Sequence, residues 1–188
     1  MNETLHTILT RRSIRAYKPQ QISEPELQEI LLAGQYAPTG SGQQPWHFTV
    51  LQNHELLEQL QLLCKATFLH SEKESLRTVA SQGSFHIFYH APTLIIVSGN
   101  TKAVTPVEDC TLAMGNMLLA AASLGIGSCW AHSIMMLQST PEGVAAFNAL
   151  NLGIPDGYIP YAASVFGYSA VAPPKPKARK PDTITYCR

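Results

Sequence analysis

Leu124-Gly-Ile-Gly-Ser-Cys-Trp-Ala-His-Ser133 joins an apolar helix to an extended run of small residues, and that junction orders the elements on either side. Glycines 125 and 127 stop the helix, because glycine takes the left-handed turn that ends one without a Cβ penalty. The run beyond holds a single large aromatic, Trp130. Spacing leaves two readings open: a Schellman turn anchored in the core by Trp130, or main-chain donors exposed beside a flat ligand. Upstream, Thr105-Pro-Val-Glu108 reads as a capping box with an early proline. It opens a helix to about Leu124 that is apolar almost all round and rich in Ala, Met and Gly. Such a helix packs centrally, against a sheet or a symmetry mate. Thr93 to Ser98 has the β-branched content of a buried strand, and Ile159 to Tyr168 reads as another.

Towards the N-terminus, Leu5, Ile8 and Leu9 give a short first helix that ends near a run of arginines. Ser23-Glu-Pro-Glu26 is a further capping box and predicts a helix over 24–37, with Leu27, Ile30, Leu31 and Ala37 as its stripe. Trp46 to Gln52 reads as a strand, and Asn53 caps a helix with Leu56, Leu57, Leu60 and Leu63 inward. Residues 70–90 are weakly patterned and read as a lid or partner-contacting segment. Ser128 to Ser133 is a short strand or extended loop, and Pro141 to Leu150 a helix. From Val171 the chain is a Pro/Lys-rich tail closing on a β-like Thr183-Ile-Thr-Tyr186. With no repeat and no internal boundary, residues 1–188 read as one domain.

Composition narrows the function classes. Formal net charge is zero, so no global field recruits nucleic acid or an acidic membrane. Hydrophobic residues are 45% and charged ones 14%, the balance of a chain that hides part of its surface in an oligomer. Cys64, Cys110, Cys129 and Cys187 are far apart and form no CxxC pair, which argues against a disulfide framework and a zinc site. The longest apolar run, Met117 to Leu124, is too short to span a bilayer. The start lacks the pattern of a signal peptide, so the expected compartment is a reducing cytoplasm.

The basic residues are not spread evenly. Eight of 13 lie at Arg11, Arg12, Arg15, Lys18, Lys175, Lys177, Arg179 and Lys180. Arg11-Arg-Ser-Ile-Arg15 offers guanidiniums and a hydroxyl for charge-assisted bonds to a phosphate; the same arginines would also suit a solvated helix C-terminus. Ala37-Pro-Thr-Gly-Ser-Gly-Gln-Gln-Pro-Trp46 has glycines that let backbone N–H groups approach a ligand, yet it fits neither a dinucleotide fingerprint nor a P-loop. A plain helix-to-strand connection would serve equally. His86 and His90 have the four-residue spacing of a helical metal pair, but without a visible acidic or Cys partner they read as structural. Glu108 and Asp109 read as dipole-favoured residues of a helix N-terminus. Cys129 reads as either a buried inert thiol or a reactive one.

Arg11-Arg-Ser-Ile-Arg15-Ala-Tyr, Ala37-Pro-Thr…Gln44-Pro-Trp-His-Phe48, Gly125-Ile-Gly-Ser-Cys-Trp130 and Lys177-Ala-Arg179 occur in the order seen in the FMN-dependent nitroreductase family. The chain resembles that family over nearly its whole length. The resemblance implies an α+β three-layer sandwich, a mainly antiparallel central sheet flanked by helices, in an intertwined homodimer with FMN at the subunit interface. Arg11, Ser13 and Arg15 then look like phosphate and ribityl contacts, with Arg12 contributing at least its backbone. Lys177 and Arg179 look like the second half of the phosphate clamp. Pro38, Thr39 and Gly40 would approach the isoalloxazine from the partner subunit. Trp130, Ala131, His132 and Ser133 would line the flavin's reactive edge through backbone N–H groups. Gly42 stands where members often carry asparagine, and His132 and Ser133 where many have glycine. No catalytic side chain and no metal ligand is assigned; His132 is the first candidate for a substrate-side donor.

The implied activity is NADH- or NADPH-driven reduction of nitroaromatics, quinones or similar conjugated electrophiles by a ping-pong sequence. Three rivals follow from the same residues: related FMN chemistry such as dehydrogenation, dehalogenation or flavin fragmentation; a non-catalytic flavin carrier or sensor; and a phosphate-ligand module without flavin.

Overall fold

The structure is a computed structural model that describes residues 1–188. In chain order its elements are α1 (Glu3–Thr10), α2 (Glu24–Gln35), β1 (Trp46–Leu51), α3 (His54–Leu69), α4 (Glu74–Ala80), β2 (Thr93–Asn100), α5 (Pro106–Ser123), β3 (Gly127–Trp130), α6 (Ser133–Leu137), α7 (Pro141–Ala149) and β4 (Tyr158–Gly167). Asn2, Ser23, Asn53 and Thr140 each accept a first-turn N–H and so fix where α1, α2, α3 and α7 begin. At Ser23 the reciprocal bond from its own N–H to Glu26 completes the box.

The four strands form one sheet in the order β1-β2-β4-β3, and every pairing is antiparallel. Alternation along β2 divides the core. Leu94 and Ile96 face Leu57, Leu60 and Cys64 of α3, with Ile134 and Leu137 of α6 and Phe147 of α7. Ile95 and Val97 face Leu27 and Ile30 of α2 and Met114 and Met117 of α5. Helices therefore cover both faces, which is the expected three-layer arrangement.

One local expectation needs correction. Thr105 does not cap α5, since its side chain bonds none of the first-turn amides; its Oγ donates to Asp109 Oδ1 instead, at 3.0 Å. Residues 86–90 form a turn, with Tyr89 and His90 both left-handed at φ 56° and 55°. Helix α6 starts at Ser133, the last residue of the stretch read as extended. The glycine stop behaves as read: Gly125 is left-handed, Ile126 N–H donates to Ala121 O and Gly125 N–H to Ala122 O, a Schellman motif.

The single chain leaves apolar surface in water. Leu5, Ile8 and Leu9 of α1 and Val107 and Leu112 of α5 are exposed, as are Leu32 and Tyr36 at the end of α2. The tail from Val171 is exposed, and Thr183–Tyr186 pairs with no strand of its own chain. No helix is long and apolar enough to cross a membrane.

Candidate cofactor site

The site grows from β3, an edge strand only four residues long. Ala131 N–H donates to Ala163 O at 2.8 Å, which sets the alternation of the β3–β4 ladder. Ser128 and Trp130 therefore direct their backbone groups away from β4. The Ser128 carbonyl accepts Ile14 N–H at 3.0 Å, and Ser13 bridges Ser128 in parallel. This bond lays the arginine segment along the outer edge of the sheet. Trp130 N–H lies roughly 7 Å further along that edge, and no backbone group of the chain takes it up.

Each arginine has a different position. Arg12 turns back on α1: one of its terminal nitrogens donates to Leu9 O and Arg11 O, so it caps the helix. Arg11 makes no side-chain hydrogen bond, and the only ion pairs within the chain are His54 and His86 with Glu58. Arg15 sits 6.0 Å from the Tyr89 ring centroid, and the Cys129 thiol lies among Arg15, Ser13 and Arg11. Thr10, Arg11, Arg12 and Ile14 line a cavity of about 230 Å³ with Gly125, Ser128 and Ser169. Buried beside it without partners are Ser128 Oγ and Arg12 Nε. An anion-accepting nook with uncompensated guanidinium charge and orphaned donors fits a phosphoryl group. Complete ligand pockets run to about 300–1,000 Å³, so this nook has room for only part of such a ligand.

Past Trp130 the chain turns into α6. Ala131 and Ser133 are buried, whereas His132 is exposed. The Ser133 Oγ points inward and has no hydrogen-bond partner, so only its backbone is available to a ligand. The N–H groups of His132 and Ser133 open the helix, where amides lack intrahelical acceptors.

Two predicted segments stand apart from this edge. The Pro38–Gly40 loop sits at the opposite end of α5, where Gly40 N–H donates to Asp109 Oδ1 at 3.0 Å. Asp109 and Ala122, the latter at the arginine cavity, are 13 residues apart on one helix, which is about 20 Å. The tail begins at the cavity, where Pro173 is part of the wall, but Lys177 and Arg179 bond only each other's segment: the Arg179 side chain donates to Lys177 O.

The nitroreductase family model matches residues 8–168. The chain belongs to the nitroreductase family. A nitroreductase of Bacteroides fragilis, crystallised with bound FMN, is similar over 100% of both chains at 41% identity and a TM-score of 0.88. An Archaeoglobus fulgidus protein provisionally named an NADH dehydrogenase/NAD(P)H nitroreductase is 32% identical over 169 residues, 82% of this chain and 87% of its own. An iodotyrosine deiodinase of Thermotoga neapolitana is 26% identical, covering 78% of this chain and 85% of its own.

In this nitroreductase-family chain, Cys129 is a buried thiol. Burial pushes its pKa up, and Arg15, Ser13 and Arg11 only partly oppose that, so the thiol stays protonated. The acidic partner that the sequence hid from His86 and His90 is Glu58 of α3; ligand atoms of the three lie within 4.8 Å of one another. Yet His86 Nδ1 accepts the N–H groups of Phe88 and His90, at 3.1 and 3.2 Å, which leaves Nε2 as the protonated donor to Glu58. Nδ1 thus holds the left-handed Tyr89–His90 turn, and Nε2 ties that turn to α3. Sequence spacing gave no sign of the Asp109–Gly40 and Ser128–Ile14 bonds, whose partners are distant in the chain.

Proposed function

We propose that the protein is an FMN-dependent oxidoreductase that takes electrons from NADH or NADPH and passes them to nitroaromatics, quinones or similar conjugated electrophiles in a ping-pong sequence. The observation that carries this reading is the outer edge of β3, where unpaired Arg11 and the Trp130 N–H lie along one line. That line supplies cation and hydroxyl for a phosphate at one end and main-chain donors for a flat heterocycle at the other.

When bound, FMN supplies the group that accepts and returns a hydride. The chain's own residues hold and orient it. Arg11, Ser13 and Arg15 bind the phosphate and ribityl chain, and the backbone at Arg12 keeps them in register. Trp130, His132 and Ser133 present N–H groups, whereas the Ala131 N–H is spent on Ala163 O, so that residue lines the edge without donating to it. The neighbouring Cys129 thiol is buried and turned to Trp130 O, so proton delivery falls to solvent, with His132 the nearest exposed titratable side chain in sequence.

A homodimer completes the site in this reading. Three observations support it: the exposed apolar strip of α1 and α5, an arginine cavity too small for a whole ligand, and the roughly 20 Å between that cavity and the Pro38–Thr39–Gly40 loop of the same chain. The loop then serves the partner's flavin. β1 is an open sheet edge and Thr183–Tyr186 an unpaired β-like segment, so exchange of tails covers both. Lys177 and Arg179 reach a phosphate by the same crossing. Four unpaired cysteines suit a reducing cytoplasm.

Initial rates with NADH and 2-methyl-1,4-naphthoquinone, varied together, test the kinetic order. Parallel double-reciprocal lines are expected, and intersecting lines would overturn the ping-pong sequence. The similarity to a deiodinase favours one second reading, reductive dehalogenation; halide release from an iodinated phenol exceeding quinone turnover would select it.

A further inference from the structure

Asp109 is 2% exposed, and it has no cation partner in the chain. Its Oδ1 accepts Gly40 N–H and Thr105 Oγ–H, each at 3.0 Å, while Oδ2 is buried with no partner. A buried carboxylate with one orphan oxygen is costly to retain. A helix start that needed only a cap would use Thr105 on its own amides, but that hydroxyl is given to Asp109 instead.

What Asp109 holds is an unusual loop. Ser41, Gly42 and Gln44 are left-handed at φ 53°, 66° and 47°, so two non-glycine residues occupy a conformation that side chains disfavour. The loop sits directly on the clamp, since a Cβ at Gly40 would collide with Thr105 Oγ. Backbone strain of this kind persists only where surrounding bonds over-determine it, and the Asp109–Gly40 bond is its tie to α5.

We infer that Asp109 is a positioning residue which, through Gly40, sets the pose of the Pro38–Gly40 loop against the ligand of the neighbouring subunit. This rests on the flavin reading. Asp109 does not touch the phosphate nook about 20 Å away, so its loss separates loop placement from cofactor retention.

The test uses FMN-loaded wild type, Asp109→Ala, Asp109→Asn and Thr105→Val, read by visible circular dichroism of the flavin and by KM and kcat for 2-methyl-1,4-naphthoquinone. Losing a charge-assisted bond corresponds to about a tenfold change or more. Asp109→Ala is expected to alter the flavin band and raise KM about tenfold while kcat moves less, with FMN still bound. Asp109→Asn keeps an acceptor for Gly40 and restores most of the wild-type behaviour. Thr105→Val, a mild change at a half-buried site, shifts both readouts in the same direction, which keeps the test open if the alanine variant fails to fold. Wild type that takes up no FMN would sink the flavin reading itself. A flavin-loaded Asp109→Ala or Thr105→Val enzyme with an unchanged band and KM would overturn the role of Asp109.

Discussion

Ile14 and Ser128 are joined by one backbone hydrogen bond of 3.0 Å, and it ties the N-terminal arm to the edge of the sheet. Gly127 lies beneath this contact: a Cβ there would meet Ile14 Cγ1 at 3.0 Å and the Gly167 carbonyl at 3.1 Å. Gly127→Ala should therefore lower stability by about 1–3 kcal/mol and weaken FMN binding, although it touches no ligand. Thermal unfolding and a fluorescence titration with FMN check both effects; unchanged FMN affinity would mean the arm does not carry the phosphate contacts.

Neighbouring arginines should separate cleanly. Arg11→Ala removes a guanidinium with no partner in the chain, so FMN affinity should fall by roughly 10- to 100-fold, the worth of a charge-assisted bond. Riboflavin, which lacks the phosphate, should lose much less. Arg12→Ala instead uncaps α1 and removes one donor from the cavity wall, so it should lower the melting temperature and cost less FMN affinity than Arg11→Ala.

Removing residues 181–188 takes away the β-like segment that has no partner in its own chain. Sedimentation should then show weaker dimerisation than in the full chain. A truncated protein that stays fully dimeric at nanomolar concentration would rule out tail exchange as a source of dimer stability.

Acid should loosen the turn at 86–90. Burial, foremost, holds the His86 pKa below its ordinary 6.5, and His90 and Lys65 push the same way; the bond to Glu58 opposes them. Below pH 6.5 the unfolded chain takes up a proton that the folded one resists, so this stability is lost as pH falls through that window. His54, also on α3, faces the same Glu58 carboxylate. The expected result is a larger drop in melting temperature from pH 7.5 to 5.5 for wild type than for His86→Gln.

Only one thiol should react quickly in the native protein. Cys187 is exposed, whereas Cys64, Cys110 and Cys129 are buried, with the first two pushed up to about 12 by burial. A chromogenic disulfide reagent should count one fast thiol natively and four after denaturation.

Local chemistry made most of the fold legible. The caps at Ser23 and Asn53 and the glycine stop at 125 place their elements within a residue or two, because each depends on neighbours in sequence. Partners distant in sequence were harder to read. Thr105-Pro-Val-Glu108 has the letters of a capping box, but the Thr105 hydroxyl turns to Asp109, whose other partner is Gly40, 69 residues away. His86 has its acid 28 residues upstream on α3, and no spacing rule reaches that far. The arginine segment was visible as charge; its attachment to Ser128 was not, since a single strand-edge bond leaves no periodic trace. The spacing of Leu5, Ile8 and Leu9 correctly gave α1, but it could not tell that all three stay exposed in one chain.

The visible spectrum of the purified protein, recorded without oxygen before and after adding NADH or NADPH, tests the central claim most directly. A bound flavin spectrum that bleaches with at least one nucleotide is the predicted result. Protein that stays colourless after FMN is added, or a bound flavin that remains oxidised with both nucleotides, would contradict it.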